Sequence, residues 1–211
     1  MFPTDTLVRR TRRLLPALIV CLVAALPVAA QDPPVGTAGM SAEEKAMFDA
    51  MMKASTPGPN HEMLTSLAGE WTFKNKMWMK PSEPATESTG TVNYSELLGG
   101  RFLQGNYRGD MMGMPFEGIA VMGYDNINKK FQASWIDNFG TAIMYMAGEY
   151  DPAAKAIVYR GEVDDMMKPG TKVKIREVVR IDSPDSHTME WYELRDGKET
   201  KTMEIVYTRK K

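Results

Sequence analysis

Hydrophobic and polar residues alternate with a period of two along most of the chain after residue 69. This period is typical of β-strands that bury one face and expose the other. Clusters of Gly, Pro, Asn and Asp separate the alternating runs and mark turns. The pattern predicts about ten strands, near residues 70–79, 88–97, 101–109, 115–124, 129–137, 141–150, 156–164, 172–182, 187–195 and 200–209. No apolar period of helical length lies between them, which favours an antiparallel sheet over parallel βαβ units.

A sheet of sequential antiparallel strands leaves two exposed edges, and closing the sheet on itself removes them. The predicted fold class is therefore all-β, an antiparallel up-and-down barrel of about ten strands, with a β-sandwich as the alternative. In the eighth strand, Val173 and Ile175 alternate with Lys172 and Lys174. A charged outer face indicates that the exterior of the barrel contacts water rather than lipid.

The residues before the barrel predict a short helical segment. Ser41 and Glu44 have the spacing of a capping box, which begins a helix over residues 41–56. An apolar stripe that includes Met47 follows at helical spacing, so we expect this helix to pack on one end of the barrel. A movable lid is the alternative. A second short helical piece opens the barrel domain, which we assign to residues 61–211.

The N-terminus predicts export. Residues 1–30 contain four arginines, then an apolar run of about 15 residues and a small-residue exit, which are the three parts of a secretory signal peptide. A transmembrane anchor is the alternative, but the run is short for the roughly 20 apolar residues that a span needs. Residues 31–40 are rich in Pro and Gly and predict a linker. We therefore expect a periplasmic or secreted protein with no membrane span after cleavage.

Charge and cysteine content narrow the function classes. Removal of the four arginines and one aspartate of the signal peptide changes the formal net charge from −1 to −4. A mildly acidic domain lacks the basic surface that nucleic acid requires, so no nucleic-acid partner is expected. The only cysteine, Cys21, leaves with the signal peptide. The mature domain therefore depends on its core rather than on disulfide bonds.

Several short motifs resemble a known family. Gly69-Glu70-Trp71 is similar to the Gly-x-Trp motif that opens the first strand of calycins, the lipocalin-like superfamily. Together with motifs at residues 98–103, 123–125, 135–137, 148–151 and 207–209, it resembles the bacterial domain of unknown function 1579 family, from about residue 61 to residue 211. The resemblance implies the barrel fold and no particular activity.

The resemblance also bears on how the barrel closes. Lipocalins seal one end of the barrel with an arginine packed on the indole of the Gly-x-Trp motif. Trp71, Tyr207 and Arg209 all fall on the apolar parity of their strands. We therefore expect the first and last strands to pair and to place Arg209 or Tyr207 beside Trp71, directly after Gly69.

Two carboxylates fall on positions that should face the barrel interior. Glu177 lies between Ile175 and Val179, and Asp137 shares the parity of Trp135. A carboxylate in an apolar interior needs a partner or stays protonated, so either one could meet a polar group of a ligand. The structural alternatives are an outward bulge or an arginine pair for Glu177, and a turn cap for Asp137.

Other residues complete the predicted ligand site. Arg101 follows two glycines and could recognise a carboxylate at the barrel mouth, although a solvated arginine is equally ordinary there. The candidates for the lining of the cavity are apolar and aromatic: Met77, Trp135, Tyr159 and Trp191. Barrels of this size hold one small ligand or are packed solid, and the sequence leaves both open.

No cofactor or metal site is predicted. His61 and His187, the two histidines, are far apart in the sequence and have no spaced partners. The 18 methionines include clusters that would suit Cu(I), but we interpret them as core or cavity lining.

The leading hypothesis for function is the binding of a small apolar or amphipathic molecule in the barrel. Two alternatives stay open: an isomerase- or hydrolase-type enzyme that uses Glu177 and Asp137 as acid and base, and a solidly packed structural or interaction module.

Overall fold

The computed structural model describes residue 37 and residues 39–211. The signal peptide predicted for residues 1–30 lies outside the described residues, as does most of the linker. The described chain forms two helices, α1 Ala42–Ser55 and α2 Pro59–Thr65, followed by ten strands. The strands are β1 Gly69–Met77, β2 Thr86–Leu97, β3 Phe102–Met111, β4 Met114–Asp125, β5 Lys130–Asp137, β6 Met144–Asp151, β7 Ala156–Asp164, β8 Lys172–Ser183, β9 Ser186–Arg195 and β10 Lys198–Arg209.

The ten strands close into an antiparallel up-and-down barrel. Each strand pairs with its neighbours in sequence, and β1 pairs with β10 to complete the ring. The predicted barrel is therefore confirmed, and the sandwich alternative is wrong. The largest difference from the predicted strands is at β6, which begins at Met144 rather than at residue 141 because the preceding connection is longer. Among residues 39–211, no helix is long and apolar enough to cross a membrane.

In each pair of neighbouring strands, the inward-facing residues of one strand lie opposite those of the other, around the whole ring. Trp71 of β1 lies opposite Arg209 of β10, and Phe73 lies opposite Tyr207. Because side chains alternate along a strand, this register fixes which residues point inward. The buried core follows from it: Trp71, Phe73, Val92, Tyr94, Leu103, Phe131, Met146, Ile157, Tyr159, Ile175, Ile205 and Tyr207, with Leu64 and Leu67 from α2 and the turn that follows it.

One end of the barrel is sealed by α2 and by the predicted pair of Arg209 and Trp71. The guanidinium carbon lies 4.2 Å from the centre of the indole ring, and the indole nitrogen donates to the Leu67 carbonyl at 2.8 Å. Arg209 also donates to the carbonyls of Ala68, at 2.6 Å, and Ser66, at 2.8 Å. The expected closure is therefore confirmed. Arg209, the last residue of β10, is bound to the turn between α2 and β1.

The helix α1 differs from expectation. It begins with the predicted capping box at Ser41, but none of its residues is buried, and Met47 remains 71% exposed. Its attachment to the barrel includes Asn126, whose amide donates to the carbonyls of Ala54 and Thr56 at 3.0 and 2.8 Å. The expected packing of its apolar stripe is therefore wrong. Leu64 and Leu67 join the core at that end of the barrel instead.

Candidate ligand site in the barrel

Glycines on the inner wall make room for aromatic rings. A Cβ atom on Gly105 would lie 2.7 Å from the ring of Tyr94 and 2.9 Å from that of Tyr107. A Cβ atom on Gly118 would lie 2.5 Å from the ring of Trp135. These distances are too short for any side chain, so the glycines let the rings approach the backbone closely. The interior surface is therefore aromatic on the β2–β5 side.

Tyrosine hydroxyl groups form a cluster inside the barrel. The hydroxyl oxygens of Tyr94 and Tyr107 are 2.7 Å apart, and Tyr207 lies beside Tyr107. Burial raises the pKa of Tyr107 to about 12 and raises the pKa of Tyr94 and of Tyr207 well above 10. All three phenols are therefore neutral donors and acceptors at any physiological pH.

Glu177 is the acidic residue near the middle of this interior. On the inner face of β8, it lies opposite Tyr159 of β7 and Trp191 of β9. Protein surrounds its carboxylate, yet the residue is only half-buried, from which we infer that it borders space inside the barrel. Within residues 39–211 no group donates a hydrogen bond to it, and burial alone raises its pKa from 4.5 to about 7. The outward bulge and the arginine pair considered for this residue are both absent from the described part of the chain.

Two further polar groups point into the same interior without partners. The hydroxyl of Tyr159, next to Glu177 in the register, is buried and makes no hydrogen bond within the described chain. The side-chain oxygen of Asn75 is also buried and unpaired, although its amide donates to Ser88 at 3.3 Å. Buried polar groups normally have partners, and such exceptions call for a bound water or ligand.

His187 is buried in an aromatic box at the α2 end. Its ring stacks on Tyr207, with centres 4.0 Å apart, and meets Trp71 edge-on at 4.7 Å. Neither ring nitrogen has a hydrogen-bond partner among the described residues. Burial, and secondarily the charge of Arg209, lowers the pKa of His187 to about 3. The imidazole is therefore neutral and closes the floor of the interior.

Among residues 39–211, no helix lies across the opposite end of the barrel. Because the strands alternate in direction, the connections that follow β1, β3, β5, β7 and β9 all lie at this end, which we call the mouth. Four of these five connections carry exposed apolar side chains: Met79, Met112, Phe139, Ile143, Met166 and Met167. Methionine side chains suit surfaces that adapt to varied apolar molecules. The mouth is therefore rimmed by flexible apolar groups.

An ion pair holds the connection between β7 and β8 at the mouth. The carboxylate of Asp165 is buried, accepts from Arg195 at 2.6 Å and accepts from the backbone of Met167 at 2.9 Å. Arg195 donates also to Glu193, at 2.7 Å. This contact fixes the base of the loop that carries the two most exposed methionines of the rim.

The family model described as protein of unknown function (DUF1579) matches residues 56–209. The chain belongs to this family. The matched residues include α2, all ten strands and every residue of the interior described above, but not α1. The description of the family states no activity, so membership leaves the chemistry of the barrel open. The comparison with curated proteins gives no match.

Two solved structures are similar in fold. The S-type phycobiliprotein lyase CPES of Guillardia theta is 10% identical, with a TM-score of 0.51, over 76% of this chain and 97% of the lyase chain. Rv2717c of M. tuberculosis is 14% identical, with a TM-score of 0.52, over 74% of this chain and 100% of its own. At such low identity the likeness establishes the fold alone.

The structure brings together most of the residues that the sequence predicted for the site. Met77, Trp135, Tyr159, Glu177 and Trp191 all lie on the inward face of the barrel. Asp137 has the same inward parity but lies at the mouth end of β5. Arg101 lies elsewhere, in the turn at the α2 end, where it donates to the Leu98 carbonyl at 2.9 Å.

Sequence reasoning missed the hydroxyl cluster and the aromatic floor. Tyr94 and Tyr107 have the inward parity of Val92 and Leu103, so alternation could have found them. Their contact depends on the pairing of β2 with β3, which only the register shows. His187 was considered solely as a metal ligand, and its place in the core was not anticipated.

A concavity of about 510 Å³ lies on the outer wall of β6–β8, with three arginines in its lining: Arg160, Arg176 and Arg180. Arg176 binds Glu199 through two hydrogen bonds of 2.7 and 2.6 Å, and Arg180 binds Glu190 at 2.7 Å. A second outer concavity of about 370 Å³ borders β3–β5. Charges on the outer wall are mostly paired, whereas Glu177 inside the barrel is not.

Proposed function

We propose that the protein binds one small apolar or amphipathic molecule inside the barrel, with Glu177 as its polar anchor. The observation that carries this proposal is the carboxylate of Glu177, which lies on the inner face of the barrel and has no partner in the described chain. A mostly apolar pocket with a few polar groups is the usual form of a small-molecule site. The aromatic wall, the unpaired Tyr159 hydroxyl and the apolar rim all suit such a ligand.

Binding is favoured over acid–base catalysis by the state of Asp137. One of its oxygens accepts from the indole of Trp135 at 2.6 Å, and the other accepts from the backbone of Phe139 at 2.8 Å. Asp137 therefore works as a cap at the end of β5. This structural role accounts for Asp137 without a catalytic one.

A solidly packed module is disfavoured by the exposure of inward side chains. Tyr107, Met122 and Trp191 lie on the inner face but are only half-buried. Accessible space next to these side chains favours a barrel that can hold a ligand. The lyase neighbour is named for action on phycobiliproteins, and its likeness supports only a barrel of the kind that could hold a ligand.

The experiment is a titration with a neutral dye whose fluorescence rises in apolar surroundings. We expect saturable binding with a stoichiometry of about one to one. Met203→Trp, which adds bulk on the inner face of β10, should abolish binding. Val206→Trp adds the same side chain to the outer face of the same strand and should leave binding unchanged. A dye that fails to bind the unmodified protein, or that binds both variants equally, would refute the proposal.

We further propose that the protein is exported and acts in the periplasm or outside the cell, without its first 30 residues. The arginines, the apolar run and the Val28-Ala29-Ala30 exit support this. N-terminal sequencing of protein recovered from the exported fraction should give Gln31 as the first residue. Recovery of chains that still begin at Met1 would contradict it.

A further inference from the structure

Within the described part of the chain, the interior of the barrel carries a negative charge that no counter-charge faces. Among the described strands, the basic residues with inward parity are Arg195 and Arg209, which lie at opposite ends of the barrel, and Lys198, which is exposed and lies opposite Arg195 at the mouth. Arg195 is held by Asp165 and Glu193, and Arg209 is held by backbone carbonyls and by the indole of Trp71. Neither is free to neutralise Glu177, which lies near the middle of β8.

The groups around Glu177 are neutral and aromatic. Its charge acts on one tyrosine hydroxyl from each of β2, β3, β7 and β10, which are Tyr94, Tyr107, Tyr159 and Tyr207. Trp191 of β9 lies directly opposite it in the register. Further titratable groups with inward parity lie towards the two ends of the barrel. At the sealed end these are His187, which is neutral, and Glu96, which is exposed. At the mouth, Glu193 is paired with Arg195, and Asp137 accepts from Trp135 and from the backbone of Phe139. An aromatic enclosure that ends in one carboxylate is the arrangement that recognises organic cations.

We propose that the ligand of the barrel is an organic cation, an ammonium or amidinium group on an apolar body, which forms an ion pair with Glu177 inside the aromatic enclosure. This inference rests on the proposed function and names the chemical class of its ligand. An unpaired buried carboxylate is costly, and a cation that enters with it removes that cost. The aromatic rings of Trp191 and the tyrosines suit the same cation. An anionic ligand would meet a like charge, and a neutral one would leave Glu177 unpaired.

The ionisation of Glu177 makes the proposal testable by pH. In the ligand-free protein its pKa is about 7, so the carboxylate is ionised at pH 8.5 and largely protonated at pH 5. A primary amine keeps its proton at both values, because an ordinary lysine ammonium has a pKa of about 10.4. A preference for the cation should therefore be large at pH 8.5 and smaller at pH 5.

The experiment uses three probes of equal chain length: decylammonium, decan-1-ol and decanoate, each below its micelle concentration. Each one displaces the neutral dye from the full-length mature protein at pH 8.5. We expect decylammonium to act at a concentration about tenfold lower than decan-1-ol, and decanoate to be the weakest, since tenfold corresponds to one moderate charged interaction. In Glu177→Gln, decylammonium and decan-1-ol should become equal within about twofold. Glu162→Gln, which removes the same charge from the exposed face of β7, should keep the preference.

The outcomes separate this inference from the proposed function. If the dye binds but the three probes displace it equally, the barrel binds ligands and the cation preference is wrong. A preference that persists in Glu177→Gln would likewise overturn the role assigned to this carboxylate. If the dye does not bind at all, the proposed function fails, and this inference fails with it.

Discussion

Burial shifts the pKa values of Glu177 and His187, both inside the barrel, in opposite directions. Glu177 has its pKa raised to about 7, so its neutral form is favoured in the folded protein. The pKa of His187 is lowered to about 3, so its neutral form is favoured as well. In both cases burial is the larger cause, because an apolar interior disfavours whichever form carries charge. The interior therefore selects neutral side chains unless a ligand supplies the opposite charge.

The raised pKa of Glu177 predicts a stability that falls as pH rises. Its contribution is fully present below pH 4.5 and is lost as pH rises through about 7, because the unfolded chain ionises first. At about 1.4 kcal/mol per pKa unit, wild type should lose roughly 2–3 kcal/mol more than Glu177→Gln between pH 5 and pH 8. Urea unfolding at the two pH values measures this difference.

The contribution of His187 cancels in that comparison, because both proteins contain it. The control is Glu162→Gln, whose carboxylate is exposed, and it should follow wild type across the same pH range. If the free energy of unfolding changed equally with pH in wild type and Glu177→Gln, the carboxylate would have a partner or be fully solvated in solution. The internal space proposed around it would then be open to bulk water.

At the scale of elements, Arg209 stabilises barrel closure by joining β10 to α2 and to the turn between β8 and β9. It donates to the carbonyls of Ser66, Ala68 and Pro184 while it covers the ring of Trp71. Lysine keeps the charge but lacks the planar fork that makes several such bonds at once. Arg209→Lys should therefore lower the free energy of unfolding by about 1–3 kcal/mol, and Trp71→Ala by roughly 3–5 kcal/mol.

Chemical denaturation of the two variants measures these losses. Arg108→Lys is a suitable control, because Arg108 is exposed and its nearest carboxylate, that of Glu117, is 3.7 Å away. Surface pairs of this kind contribute little, so the change should stay within about 0.5 kcal/mol. An Arg209→Lys protein as stable as the control would show that the carbonyl contacts add nothing to closure.

Strand positions and inward parity could be predicted from the sequence because both depend on a local pattern. The alternation around Trp71, Glu177 and Tyr207 gives the correct face for each. Side-chain partners depend on neighbours that are distant in sequence. Asp137 is held by Trp135 and by the turn after it, and Arg101 lies at the sealed end rather than at the mouth. Parity alone does not distinguish the two ends of a barrel.

At the scale of the whole molecule, the barrel formed by the described residues has one sealed end and one open end. At the sealed end, α2, Trp71, His187 and Arg209 fill the opening with buried aromatic and apolar groups. At the mouth, exposed methionines and the Asp165–Arg195 ion pair surround the way into the interior. A ligand would therefore enter past the rim and meet Glu177 before it reaches the aromatic floor.

The position of α1 predicts that the barrel folds and binds without it. None of the residues of α1 is buried. A chain that begins at Thr56 should therefore have a free energy of unfolding within about 1 kcal/mol of that of the full mature protein, and it should bind the dye equally well. A chain that begins at Ala68 is the matched control. It lacks the buried Leu64 and Leu67, whose loss should cost roughly 2–5 kcal/mol each and prevent folding. Thermal unfolding and dye titration of both truncations give the comparison. If removal of α1 abolished dye binding or cost more than about 3 kcal/mol, the helix would be part of the site, as a lid over the barrel, and not an appendage held by Asn126.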